Sequence, residues 1–380
     1  MATSKKTKTQ VTTEQDETLL KILKERAQVV QGKTQVNQNR SFALLAARDE
    51  LFFRQLEDFT NQLFKANPIK MKLGGFITKK SNKPVKRELN AVLSDLHIGA
   101  NLDPRELPHQ YGWQEEARRL AKITKEIVEY KTQYRENTNL NVNLIGDIIQ
   151  GILEHDPRDG NPLAEQCGAA MHLLIQTIGF LALHFPKVTV RCVPGNHGRN
   201  VARHKARAMH QKWDAFETIV YKGIKAGVAH LPNVTVEIPY TPFFIYDTLG
   251  HFVMATHGDT FIEVGNPGSL INVKNLNVKM NEVNATRPNG QNVELLTVGH
   301  VHIASRIRLP SGVVVMTNGA LIPPDGFMVN GLGRLDSTCS QTIWESTEKY
   351  VAGDYRELTV DTETDKDSSL DSIIKPFVAF

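Results

Sequence analysis

Six short apolar runs, 91–94, 140–145, 188–193, 252–256, 294–298 and 313–317, alternate with polar loops and longer stretches of helical spacing. Runs this short and rich in β-branched residues read as buried strands. Helices are expected at 114–134, 163–184 and 203–225, and the alternation predicts an α/β layered domain. The pattern constrains more than fold class, because the first five runs each lead directly into a polar motif. These are Asp95-Leu96-His97, Gly146-Asp147, Gly195-Asn196-His197, His257-Gly258 and Gly299-His300-Val301-His302. Ligands of open α/β sheets gather at the C-terminal strand edge, so folding is expected to bring five distant segments to one place.

Carboxylate, imidazole and amide oxygen together suit Mn²⁺, Fe or Zn²⁺ better than an all-oxygen Ca²⁺ site. His300 and His302 are alternate residues at a strand end and share one face, so a single site can receive both. Gly146, Gly195 and Gly299 are expected where the chain turns sharply out of its strand, with Pro194 stiffening one of these turns. Two adjacent divalent ions would suit phosphate-ester hydrolysis, where they activate a water and stabilise both ends of an in-line displacement. The plainer alternative makes these residues surface groups or core hydrogen-bonders.

Length and composition set bounds. With 380 residues, 41% of them hydrophobic, the chain can bury one large core with a smaller appendage. Cys167, Cys192 and Cys339 stand far apart, which argues against a disulfide framework or a thiolate metal site and fits a reducing compartment. The polar start of the chain lacks the apolar core of a secretory signal. No run approaches the ~18 apolar residues of a membrane span, so a cytoplasmic protein is expected. A net charge of +4 decides nothing about partners by itself.

Residues 1–12 read as a disordered tail and 13–64 as a helical hairpin, whose second helix carries a Phe52, Leu56, Phe59 stripe. A connector at 65–88 holds eight Lys or Arg and no acid up to Arg87. The main domain is expected over 89–335, with a polar insertion at 263–292, and a C-terminal strand and tail over 336–380.

The ordered series DxH, GD, GNH, HG and GHxH resembles the calcineurin-like metallophosphoesterases over residues 90 to about 320. The resemblance implies a four-layer β-sandwich flanked by helices, here with an N-terminal helical extension, and two divalent ions. Manganese is the expected metal, with Fe, Zn or Mg also accepted by such ligands. Asp95, His97, Asp147 and His302 would hold one ion. Asp147, Asn196, His257 and His300 would hold the other, so Asp147 bridges and a hydroxide between the ions attacks the phosphodiester. His197 would be catalytic rather than a ligand, facing the substrate and protonating the leaving oxygen.

Within the family, Asp95-Leu96-His97-Ile98-Gly99 is similar to the DxHxG of the Mre11/SbcD-type DNA repair exonucleases. Gly195-Asn196-His197-Gly198-Arg199 is similar to that branch's GNHDR, with Gly198 where the branch carries an acid. Gln150 stands where the branch carries a histidine, and the GDxxDRG arginine of protein phosphatases has no counterpart in Ile148-Ile149-Gln150-Gly151. The whole chain also resembles phage-encoded phosphoesterases, for which the compartment would be the host cytoplasm. After His197 come Arg199, Arg203, His204, Lys205, Arg207, His210 and Lys212 before the next acid, Asp214. Arg199, Arg203, His204 and Lys205 are expected substrate contacts, a cationic rim suited to a polyanion; His155 is a further reserve contact.

The resulting expectation is a DNA nuclease, exo- or endonucleolytic, acting in DNA processing or repair. Such a protein would homodimerise through the N-terminal helices and work with a coiled-coil ATPase. The alternatives are a phosphatase or cyclic-nucleotide phosphodiesterase acting on small molecules, and a scaffold subunit of a DNA-processing complex.

Overall fold

The computed structural model describes residues 85–360, apart from 103–104, 106, 108–110, 134–137, 153–159, 202–211, 263–270, 332 and 334–338. The tail, the helical hairpin and its Phe52 stripe, and nearly all of the basic connector lie outside the described residues.

The first sheet grows by helical crossovers. The order is β1 (Arg87–Leu93), α1 (Trp113–Thr132), β2 (Thr138–Leu144), α2 (Leu163–His184), β3 (Val188–Cys192), α3 (Phe216–Gly227) and β4 (Val234–Glu237). These four strands are parallel, in register Arg87↔Thr138, Leu140↔Val188 and Val188↔Val234. Parallel neighbours require such crossovers, which also cover the sheet face. The second sheet contains β5 (Phe243–Thr248), β6 (His251–Thr256), β7 (Val293–Val298), β8 (Ser305–Arg308) and β9 (Val314–Thr317), ordered β5-β6-β7-β9-β8. Helix α4 (Val273–Ala285) enters between β6 and β7.

Period-two alternation along the second sheet builds two cores at once. Val253, Ala255, Leu295, Val314 and Met316 face the first sheet and pack with Val92, Ile145, Val193 and Trp344. Met254, Leu296 and Val315 face the other way and are covered by Leu276 and Met280 of α4. With α1, α2 and α3 against the first sheet, the layers are helix, sheet, sheet, helix, as the expected four-layer sandwich requires.

Several segments depart from the sequence expectation. Of the helix expected over 203–225, residues 203–211 lie outside the described residues; residues 212–215 turn, the Phe216 amide donates to the Gly198 carbonyl at 2.8 Å, and α3 runs on from Phe216. The polar stretch 263–292 contains α4, capped by the Asn272 side chain, which accepts from the Asn275 amide at 3.1 Å. Only Leu276 and Met280 of that helix are buried, too narrow a stripe to read as a helix among polar neighbours. Of residues 336–380, expected as a C-terminal strand and tail, 339–360 are described. They supply β10 (Cys339–Ser346) and β11 (Tyr355–Val360), which extend the first sheet antiparallel from β1 in the order β11-β10-β1-β2-β3-β4. By length and composition α2 would also pass for a membrane span, but 72% of its most apolar window is buried inside the domain, so its apolarity serves the core.

Candidate metal centre

Each motif lies just beyond a strand end. Asp95 and His97 follow β1, Asp147 follows β2, and Asn196 and His197 follow β3; His257 follows β6, and His300 and His302 follow β7. Both sheets therefore deliver ligands to the same rim. The loops are stitched together by backbone hydrogen bonds from Asp95 to the Gly146 carbonyl and from His97 to the Asp147 carbonyl, each 3.0 Å, and from Gly299 to the His257 carbonyl at 2.9 Å.

Backbone strain is concentrated at the expected ligands. Asp95, His97, Asp147, His300 and His302 all have left-handed backbones, with φ of 53, 48, 49, 70 and 59°. Such conformations cost roughly 1–3 kcal/mol each and persist where the surroundings impose them. Of the three glycines, Gly146 has φ +92°, and a Cβ there would lie 2.5 Å from the Gly195 nitrogen. Gly195 and Gly299 are required by close approach instead of by φ: a Cβ on Gly195 would overlap the Asp147 carboxylate, and one on Gly299 would lie 2.5 Å from Asp95 Oδ2.

Among the described residues three groups of donor atoms, each within 4.8 Å of one another, result: Asp95 with His97 and His302; Asp147 with His257 and His300; and His97 with Asp147 and His197. The first two match the sets expected for the two ions, lacking only Asp147 in one and Asn196 in the other. Asn196 Oδ1 lies 3.0 Å from His257 Nε2, the same distance that separates this nitrogen from Asp147 Oδ2. His97 Nε2 and His302 Nε2 are 3.3 Å apart, and His302 Nε2 is 3.3 Å from Asp95 Oδ1. Imidazoles and carboxylates converging on a common point, with ring orientations fixed from behind, fit divalent first-row ions.

His97 Nδ1 donates to Gln150 Oε1 at 2.8 Å and His257 Nδ1 to the Ile145 carbonyl at 2.9 Å, turning both Nε2 atoms toward the site. His197 Nδ1 donates to the Gln150 carbonyl at 2.9 Å, and its amide donates to Asp147 Oδ1 at 2.8 Å. Asp95 is held by Ser94 Oγ at 2.5 Å; Asn318 Nδ2 donates to that hydroxyl, and Gln341 of β10 brackets the Ser94 backbone. Sequence motifs gave no sign of Asn318 or Gln341, whose contacts cross more than 200 residues. Gln150 was visible only as a departure from the nuclease pattern.

Electrostatics follow from this crowding. Burial alone would raise the Asp147 carboxyl, but the facing His257 and His197 imidazoles outweigh it and hold it well below the carboxylate range. Burial opposes charge on His257, yet Asp147 raises it to about 9; burial and then the His257 charge push His300 down to about 4. His257 accordingly carries two protons at neutral pH, one on Nδ1 toward Ile145 and one on Nε2 toward Asp147. An ion must displace the second. Mn²⁺ affinity is therefore expected to rise from pH 7 to pH 9 and level above it, with proton release in titration calorimetry across buffers of different ionisation heat. Uptake without proton release at pH 7 would contradict this arrangement.

The expected cationic rim is less open than its sequence implies. Arg199 is 9% exposed and its guanidinium lies 3.3 Å from Asp259, which also binds Lys212 Nζ at 2.5 Å. The neutralising acid arrives from the loop after His257, far away in sequence. Arg203, His204 and Lys205 lie outside the described residues, as does His155.

No protein-family profile and no curated protein matches the sequence. Among solved structures the chain is similar to the calcineurin-like phosphoesterase YfkN from Bacillus subtilis, with 14% identity, 77% of this chain and 97% of that one covered, and a TM-score of 0.32. It is similar to a dimetal phosphatase from Danio rerio, with 11% identity, coverage of 73% and 100%, and a TM-score of 0.32. It is also similar to Vps29 from Entamoeba histolytica, with 12% identity, coverage of 72% and 99%, and a TM-score of 0.30. At such identities the chemistry has to come from the side chains themselves.

Proposed function

We propose that this chain is a metal-dependent phosphoric ester hydrolase, a phosphodiesterase whose substrate is DNA. The observation that carries the hydrolase reading is Asp147, one buried carboxylate set between two converging imidazole groups, 3.0 Å from His257 Nε2 and 4.0 Å from His197 Nε2. Two divalent ions held there would supply Lewis acidity to phosphate oxygens and lower the pKa of a water toward neutrality. The protein's own part is orientation and proton handling. Gln150 and the Ile145 carbonyl lock His97 and His257. His197, with Nδ1 committed to the Gln150 carbonyl, presents Nε2 as the atom that delivers a proton to the leaving oxygen.

DNA is favoured by the likeness of Asp95–Gly99 and Gly195–Arg199 to the nuclease motifs and by the basic stretches at 65–87 and 203–212. One observation favours a small-molecule phosphatase or cyclic-nucleotide phosphodiesterase: Asp259 takes up Arg199 and Lys212, the two cations of the rim that lie among the described residues. Metal-stripped protein resupplied with Mn²⁺ is expected to degrade end-labelled linear DNA, with affinity that grows with DNA length and falls steeply with salt. Cleavage of bis-p-nitrophenyl phosphate alone would transfer the reading to small molecules. Cleavage of neither would transfer it to a scaffold that acts through residues 13–64.

A further inference from the structure

We infer that Glu217 is a positioning residue for the metal pair, joining the loops that carry Asp147 and Asn196 through one buried carboxylate. The inference rests on the metal-site reading and adds a residue that no motif contains. Glu217 lies in the first turn of α3, is 0% exposed, and belongs to none of the three donor groups. Its Oε1 accepts from the Ile148 amide at 2.5 Å and its Oε2 from the Gly195 amide at 2.7 Å. Ile148 follows Asp147 and Gly195 precedes Asn196, so the two oxygens hold the backbone beside one ligand from each loop.

Two further contacts fix the clamp itself. The Phe216 amide donates to the Gly198 carbonyl at 2.8 Å, joining the start of α3 to the His197 loop, and Tyr221, one turn on, donates its hydroxyl to the Val193 carbonyl at 3.0 Å. Gly198 explains why the carboxylate comes from a helix. A Cβ on Gly198 would lie 2.6 Å from Glu217 Cγ and 3.0 Å from its Cδ, so the space beside residue 198 is already filled by the Glu217 side chain. A side chain on residue 198 and the Glu217 side chain therefore exclude one another.

That exclusivity supplies the test. Glutamine at 217 keeps the volume but offers one acceptor oxygen, leaving an NH₂ against either Ile148 N–H or Gly195 N–H, a buried donor facing a donor. Mn²⁺ binding to the full chain would be followed by titration calorimetry and by the electron paramagnetic resonance signal of coupled ions. Asp147→Asn serves as the control, and melting of the metal-free protein is recorded for every variant.

Glu217→Gln is expected to weaken Mn²⁺ binding about 10–100-fold, as loss of a ligand-orienting group does, and to weaken the coupled signal. Gly198→Asp alone is expected to damage binding through collision with Glu217. In Glu217→Ala/Gly198→Asp, the new carboxylate is expected to recover at least tenfold of the affinity lost in Glu217→Ala. Recovery of affinity and coupling at unchanged melting temperature is a result that a merely structural glutamate would not give. Wild-type-like affinity in Glu217→Gln, or no gain in the double variant over Glu217→Ala, would overturn the inference. Absence of Mn²⁺ binding by the wild type would overturn the metal-site reading itself.

Discussion

Asp147→Asn is expected to lower Mn²⁺-dependent hydrolysis about a thousandfold or more, equivalent to about 4 kcal/mol of transition-state stabilisation, while the metal-free protein stays folded. Asparagine has the size of aspartate and keeps an oxygen to accept from the His197 amide, which lies 2.8 Å from Oδ1. What it loses is the charge that both imidazole groups face. The fold tolerates this because the charge on His257 is largely a response to Asp147: burial lowers that ring, and Asp147, aided by Asp95 and Asp259, lifts it to about 9. Without the carboxylate the ring loses the largest influence that opposes its burial, so the variant weakens both members of a buried ion pair together instead of orphaning one. Melting of the metal-free variant should therefore stay close to wild type, whereas the rise in melting temperature that Mn²⁺ gives the wild type should disappear. Lost activity with an undiminished Mn²⁺ shift would place Asp147 on the substrate side of the chemistry; retained activity would remove it from the site.

The ligands were legible for a local reason. A strand that runs within four positions into a carboxylate, amide or imidazole side chain dictates locally where that side chain goes, and β1, β2, β3, β6 and β7 all do this. The groups that orient the ligands obey no such rule. Gln341 reaches Ser94 from β10, Asp259 neutralises Arg199 from another loop, and Glu217 fills the space over Gly198 from a helix. Each contact depends on tertiary closeness between segments with no sequence relation. The strands divide in the same way: β2 and β3 announced themselves through apolar runs. In β10, Ser340, Gln341, Thr342 and Ser346 are polar yet at most 1% exposed, satisfied by hydrogen bonds that include Thr342 to Asn318 and Asn90 to Ser346. A strand buried through hydrogen bonds does not look buried in a hydropathy pattern.

Trp344 tests whether that strand belongs to the core. It lies opposite Asn90 of β1 in the antiparallel register and is fully buried between the sheets, among Val92, Ile145, Val193, Val253, Leu295 and Met316. Trp344→Ala is expected to cost about 3–5 kcal/mol, because the indole's transfer energy is lost and the β-sheets on either side cannot collapse into the space. The measurement is a denaturant midpoint at unchanged slope. Trp344→Phe should cost far less than the alanine variant, since the indole Nε1 is buried with no hydrogen-bond partner among the described residues, and phenylalanine removes that unsatisfied donor along with part of the volume. If Trp344→Ala costs under ~1 kcal/mol, β10 does not close the sandwich. If the alanine variant is destabilised as expected, its Mn²⁺ affinity should fall as well, because Gln341, three residues earlier on the same strand, holds the Ser94 backbone behind Asp95. Packing between the sheets and ligand geometry at their rim would then be two consequences of a single strand's position.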